Sequence, residues 1–255
     1  MPPRRLDTML ENLVTHSDPQ IIHAPGFDHA KPAIWRDVLR LWPTLSRKQY
    51  NLDSRLAIIT WNNAPDSLVE QSLRHNGVKY YKIGGDLNEW NNLKKFELVV
   101  GLLKEIEAEY VIGLDSFDVV FFGDPNLCLE RFLDLGLDLV FNAEIDFYPE
   151  WPVQYYRECK QHQRAASPGR FCYLNSGVWM GRRKFCLDFF SECAAVKLWT
   201  QVDERYCPLI RNCEQSVIHG LYRRHMNVGV DHGCVIVQNV AHLNDEVILN
   251  VKQLM

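Results

Sequence analysis

The sequence predicts an α/β domain with a mixed, mostly parallel sheet flanked by helices. Three observations carry this. Apolar runs of strand length ("RLAIIT", "EYVIGLD" and "LDLVFNAE") recur through the middle of the chain. Stretches with helical spacing, "PDSLVEQSLRHNG" and "LKKFELVVGLLKEIEA", separate the strands that precede "LDLVFNAE". The chain has 255 residues, 47% of them hydrophobic, which is enough to bury a sizeable core. Strand, helix, strand, helix, strand is the order of parallel βαβ units.

Local signals justify each element. "RLAIIT" is a buried-strand run that ends on Thr60. "PDSLVEQSLRHNG" opens with Pro and Asp and closes on Asn-Gly, the start and stop signals of a helix. "VKYYKIGG" is a strand, and "EYVIGLD" and "LDLVFNAE" are buried strands ending on the acids Asp115 and Glu144. "AIWRDVLRLW" (33–42) has the pattern of a short amphipathic helix. Beyond residue 150, the polar and basic stretch 155–170 reads as a mobile loop. "FCYLNSGVWMG" (171–181) reads as strand–turn–strand with Asn175-Ser176-Gly177 at the bend, and helices follow at about 182–196 and 213–225. Residues 1–50, broken by Pro2, Pro3, Pro19, Pro25, Pro32 and Pro43, form an N-terminal segment ahead of a domain at 51–255.

Bulk properties exclude several classes. A net charge of −4 gives no basic field for nucleic acid. No apolar run is long enough for a membrane span. The first residues lack the apolar stretch of a signal peptide, so the expectation is a cytoplasmic protein. The eight cysteines include no C-x-x-C pair; they are expected to be free thiols packed as small apolar groups.

Ligands of open α/β sheets collect at the carboxyl ends of the strands. Thr60, Asp115 and Glu144 should therefore open toward one crevice. In "IGLDSFDVVF", Asp115 and Asp118 stand three apart at a strand-to-turn corner. Such a pair can hold Mn²⁺ or Mg²⁺, which prefer oxygen ligands and share themselves with substrate phosphates. A solvated turn explains the spacing equally well. Asn175-Ser176-Gly177 can touch a ligand or make a plain turn. Glu214 and Gln215 can reach the crevice, although favouring the helix dipole is the simpler use. Trp90 can stack on a planar ligand or cover the core, and Lys95 can meet a phosphate or stay solvated.

Together, "LDSFDVVFFGDP", "FNAEIDFYPEWP", "FCYLNSGVWMG", "CEQ" and "VIVQNVAHLNDEVIL" resemble the glycosyltransferase domain of procollagen lysyl hydroxylases and the related procollagen galactosyltransferases. The resemblance runs from about residue 55 to 250. It implies a GT-A, Rossmann-like fold, a UDP-sugar donor carrying glucose or galactose, a hydroxyl acceptor (glycan, peptide or small molecule) and a Mn²⁺ ion. It also implies Asp115 and Asp118 as metal ligands, Trp90 and Phe117 on either side of the uracil, and Lys95 on the donor. Glu144, Asp146 and Tyr148 match the loop that shapes the donor-sugar pocket. Phe117 stands where the family has Tyr, which keeps stacking and removes a hydroxyl. Glu214 matches the second acid of an Asp-Asp-Gln motif whose first acid is Cys213 here. The candidate catalytic residues are thus Glu214, Asp146, Glu144 and Asn175, and the candidate donor contacts are Thr60, Trp90, Lys95 and Phe117. Two other activities stay open at this point: sugar-nucleotide binding without transfer, and a metal-dependent phosphodiesterase or nucleotidyltransferase.

In the family the domain continues past the "DEVIL" strand to a His-x-x-Gly loop and a lysine. Here the chain stops at "NDEVILNVKQLM", but "IIHAPGFDHAKP" near the front has that pattern in His23, Gly26 and Lys31. The resemblance therefore implies a circularly permuted domain, with His23 as third metal ligand and Gly26 and Lys31 as diphosphate contacts. The tail of a preceding domain, or an ordinary N-terminal extension, would carry the same residues.

Overall fold

The computed structural model describes residues 10–26, 31–150, 153–195, 213–241, 243 and 247–248. In chain order the elements are β1 (Glu11–Asn12), β2 (Ile21–His23), α1 (Ala33–Leu41), β3 (Leu56–Trp61), α2 (Leu68–His75), β4 (Tyr81–Ile83) and α3 (Lys94–Glu105). There follow β5 (Tyr110–Leu114), β6 (Val119–Phe121), α4 (Pro125–Leu135), β7 (Leu139–Glu144), α5 (Gln154–Ala166) and β8 (Tyr173–Arg182). The last are α6 (Arg183–Ala195), α7 (Glu214–Tyr222), β9 (Val228–Val230), β10 (Val237–Asn239) and β11 (Val247–Ile248).

The main sheet has the order β4-β3-β5-β8-β7-β9. β3 pairs in parallel with β4 and β5, and β7 with β9, while β8 runs antiparallel between β5 and β7. This is the mixed, mostly parallel α/β sheet expected of a GT-A fold. Its strands are apolar on both faces because both faces are covered. Ala57, Ile59 and Trp61 share one core with Phe96 and Val99 of α3 and Phe189 and Phe190 of α6. The alternate residues Leu56 and Ile58 share the other with Val69 and Leu73 of α2 and Leu129 and Phe132 of α4. Because β8 runs against its neighbours, its first half lies at the carboxyl ends of β5 and β7.

A second sheet, β10-β2-β6, stands beside it. β2 runs parallel to β10 and antiparallel to β6, with His23 opposite Asn239 and Val119. The front of the chain is thus hydrogen-bonded between two strands of the fold. β1 pairs with β11.

Several elements differ from the sequence expectation. Residues 154–166 are the helix α5 and not a mobile loop. The helix buries only Tyr156, Cys159 and Gln163, so its inner stripe is too polar to show a hydrophobic period. Residues 173–182 are one strand and not a strand–turn–strand; its pairing with β7 slips between Phe141 and Asn142, which leaves Ser176, Gly177 and Val178 without a partner on β7. Helix α4 was not foreseen, although Asp124 caps it, Pro125 opens it and Gly136 ends it at φ 66°. All seven described cysteines are free, and all but Cys213 are buried; Cys207 lies outside the described residues. Among the described residues no helix is long and apolar enough to cross a membrane.

Gly113 of β5 lies under the Trp179 indole, where a Cβ would come within 2.2 Å of Cε2. Gly113→Ala is expected to destabilise the chain by roughly 2–3 kcal/mol through overpacking, read as a lower urea midpoint at unchanged slope.

Candidate functional site

The site begins at the β5–β6 corner. Thr60 donates its hydroxyl to the Leu114 carbonyl at 2.9 Å and lies 2.9 Å from Ser116 Oγ. Ser116 donates to the Trp61 carbonyl and accepts from the Asn62 amide. Thr60 is fully buried and braces the corner from inside. It does not open to the crevice as its strand-end position suggested, because the neighbouring strand end takes its hydroxyl.

The corner projects Asp115 and Asp118, and β2 brings His23 against them; the Ala24 N–H donates to the Asp118 carbonyl at 2.8 Å. His23 Nε2 lies 3.5 Å from Asp118 Oδ1 and 4.0 Å from Asp115 Oδ2. One ligand atom from each of the three residues falls within 4.8 Å of the others. The His23 side chain is 1% exposed against 29% and 22% for the two acids, so a buried nitrogen faces two partly open carboxylates. Nε2 has no hydrogen-bond partner. Burial works against the charge of Asp118, but His23 and then Lys31 outweigh it and hold the carboxyl below its usual range. A Cβ on Gly177 would sit 2.2 Å from His23 Cε1 and 2.5 Å from Asp115 Oδ2, so the space among the three side chains exists because residue 177 has none. An unpartnered imidazole nitrogen, two carboxylates and a clear cradle fit a Mn²⁺ or Mg²⁺ ion.

Lys95 is not a solvated lysine. It is 2% exposed, with Nζ 3.4 Å from Asp115 Oδ1, 3.3 Å from Glu214 Oε1 and 3.1 Å from the Ser176 carbonyl. Its ammonium also lies 4.1 Å from the centre of the Trp61 ring. Trp61 Nε1 donates to Asp115 Oδ1 at 2.6 Å and fixes that carboxylate.

A second acidic centre lies at the end of β7. Asn175 donates to Glu144 Oε2 at 3.1 Å, and Gln215 donates to Glu144 Oε1 at 2.9 Å. Burial raises the Glu144 carboxyl to about 8, more than these two donors lower it. Gln215 also donates to the Tyr148 carbonyl at 2.6 Å and accepts from the Ser176 N–H. One turn on, His219 Nε2 lies 2.8 Å from the same carbonyl. Burial pushes His219 down to about 4, and its ring stacks on Phe147 at 4.4 Å. Helix α7 therefore grips the 145–149 loop, which leaves Asp146 and Tyr148 exposed. Phe117 is 58% exposed at the corner. Trp90 is half-buried after β4, its Nε1 donating to Asn92. Gly26 has φ 103°, a conformation that favours glycine, and Lys31 Nζ lies 5.5 Å over the Trp35 ring.

Trp61 and His219 are not legible from sequence as builders of this site, whereas Gly177 and Gln215 are among the residues that could touch a ligand or reach the crevice. Trp61 looks like core, and the i, i+4 pair Gln215 and His219 was the one available signal.

Residues 68–254 match the family described as the PLOD GT domain. The chain belongs to this glycosyltransferase family. The match begins after β2, so His23 comes from outside the matched stretch. The chain is 28% identical over 148 residues to the human multifunctional procollagen lysine hydroxylase and glycosyltransferase LH3, covering 56% of this chain and 17% of that protein. It is 26% identical over 190 residues to mouse procollagen-lysine,2-oxoglutarate 5-dioxygenase 2, covering 68% of this chain and 24% of that one. These curated relatives are thus several times longer than the aligned stretch. A solved structure of a glycosyltransferase involved in the glycosylation of the major capsid of PBCV-1 is 14% identical, covers 72% of this chain and 81% of that one, and has a TM-score of 0.42.

The raised Glu144 carboxyl has a signed consequence. A glutamate with a pKa of 4.5 when unfolded and about 8 when folded keeps its proton longer in the folded chain. Its contribution is complete below pH 4.5 and is lost as pH rises to about 8. His219, lowered from 6.5 to about 4, gives the opposite slope below pH 6.5. Glu144→Gln is expected to shrink the stability difference between pH 5 and pH 9 by on the order of 4 kcal/mol, read from urea unfolding at both values.

Proposed function

We propose that the chain moves a hexose, glucose or galactose, from a UDP-sugar to a hydroxyl acceptor, with Mn²⁺ or Mg²⁺ held by His23, Asp115 and Asp118. The observation that carries this is the triad at the carboxyl ends of β3 and β5, in a member of a glycosyltransferase family. The ion, when bound, would neutralise the leaving diphosphate. Phe117 and Trp90 flank the uracil in this reading, and Gly26 and Lys31 face the diphosphate. Lys95 contributes fixed positive charge between Asp115 and Glu214. Asp146, exposed on the gripped loop, orients the acceptor or sugar. Glu144 keeps its proton at neutral pH and, with Asn175, shapes the pocket wall. Glu214, held by Lys95 and Ser176, stands nearest in sequence to the missing first acid.

We read β2 as the family's closing strand moved to the front of the chain, a circular permutation. Its support is that β2 lies parallel to β10, within "VIVQNVAHL", and places His23 against the acidic corner. The unbridged cysteines support a reducing, cytoplasmic setting.

Cys213, half-buried ahead of α7, favours a second reading in which UDP-sugar is bound but no sugar is transferred. Product analysis separates the readings: free UDP marks transfer or hydrolysis, no product marks binding alone, and UMP marks phosphodiester cleavage.

Calorimetric titration of UDP with Mn²⁺ and then with a chelator is expected to show binding only with the metal. His23→Ala is expected to weaken that binding at least tenfold; unchanged affinity removes His23 from the site. Gly177→Ala, which pushes a methyl between His23 and Asp115, is expected to abolish that Mn²⁺-dependent binding.

A further inference from the structure

We propose that Asn142 is the positioning residue that lets His23 offer its Nε2 lone pair to the cation by accepting the ring proton on Nδ1; the inference rests on the metal site proposed above. Asn142 sits on β7 where its pairing with β8 slips. Its side chain reaches His23, with the amide nitrogen 3.0 Å from Nδ1. Both residues are buried, at 1% and 0% exposure. Among the described residues, the buried atoms His23 Nε2, 3.5 Å from Asp118 Oδ1, and Asn142 Oδ1 both lack a hydrogen bond. Two buried unpartnered atoms on two touching side chains point to a ligand, because such atoms are costly when nothing completes them.

The geometry states what completes them. While Asn142 donates to Nδ1, a neutral ring carries its proton on Nε2, aimed at Asp118. A cation at the triad needs the Nε2 lone pair, and the neutral ring then carries its proton on Nδ1. That proton needs an acceptor in a place water does not reach. A half-turn of the Asn142 amide supplies Oδ1 at the same spot. An amide therefore serves both states of the site, donating to the ring when no ion is present and accepting from it when one is bound. Partners of this kind are what orient metal-bound histidines. An aliphatic side chain of the same size would fill the space and serve neither state.

Electron paramagnetic resonance titration of Mn²⁺ into the full chain, Asn142→Leu and Asn142→Asp tests this. Asn142→Leu is expected to weaken Mn²⁺ binding 10- to 100-fold. Asn142→Asp, whose carboxylate accepts the same N–H, is expected to bind within a few-fold of the wild type or tighter. Equal affinity in wild type and Asn142→Leu overturns the inference, and so does an equal loss in both variants, which marks a packing role. No Mn²⁺ binding by the wild type overturns the metal site itself, a result distinct from either. If Asn142→Leu does not fold, the nitrogen–proton correlation spectrum of His23 in the Zn²⁺-loaded wild type decides: a proton on Nδ1 supports the inference and a proton on Nε2 overturns it.

Discussion

The arrangement depends on one pairing, the three-residue ladder between β2 and β6. β6 begins one residue after Asp118, so whatever lies opposite its first residue lies at the acidic corner. His23 is that residue. With β10 on its other side, β2 is the centre of its sheet and cannot slide without breaking both ladders. The histidine is buried because its strand is, and its free nitrogen points the one way left open, toward two carboxylates that still see solvent.

The site then extends by charge. Lys95 is buried, and a buried ammonium persists only with anionic and carbonyl partners. It has Asp115 on one side and Glu214 on the other, with the Ser176 carbonyl between. The acidic corner and the start of α7 are therefore tied by one cation. Ser176 belongs to the bulge of β8, and its neighbour Gly177 is the floor of the triad. A single irregularity in the β7–β8 ladder thus supplies the carbonyl that holds Lys95 and the empty space for an ion.

The far side is held differently. Among the described residues Glu144 has no cation; burial keeps its proton on against the two amides that donate to it, so it acts as a neutral wall at ordinary pH. Gln215 and His219 secure the loop beyond it through the Tyr148 carbonyl.

The sequence by itself determined the strands β3, β4, β5 and β7 and the helices α2 and α3. Apolar runs such as "RLAIIT" and helices with clear caps are local facts, and local facts survive without the rest of the fold. It also determined the acid pair, since three-residue spacing at a strand end leaves both side chains at one corner. Only the tertiary structure decided that His23, ninety-two residues before Asp115 in the chain, stands beside it, because strand order across a sheet is set by packing and not by spacing. It likewise decided that 154–166 is a helix, whose inner stripe of Tyr, Cys and Gln has no hydrophobic period to read. Thr60 and Lys95 show the same limit in opposite directions: a strand-end hydroxyl turned inward to brace the corner, and a lysine drawn into the core by two acids. What a polar side chain does depends on which partners the fold brings within about 3 Å, and sequence spacing does not carry that distance.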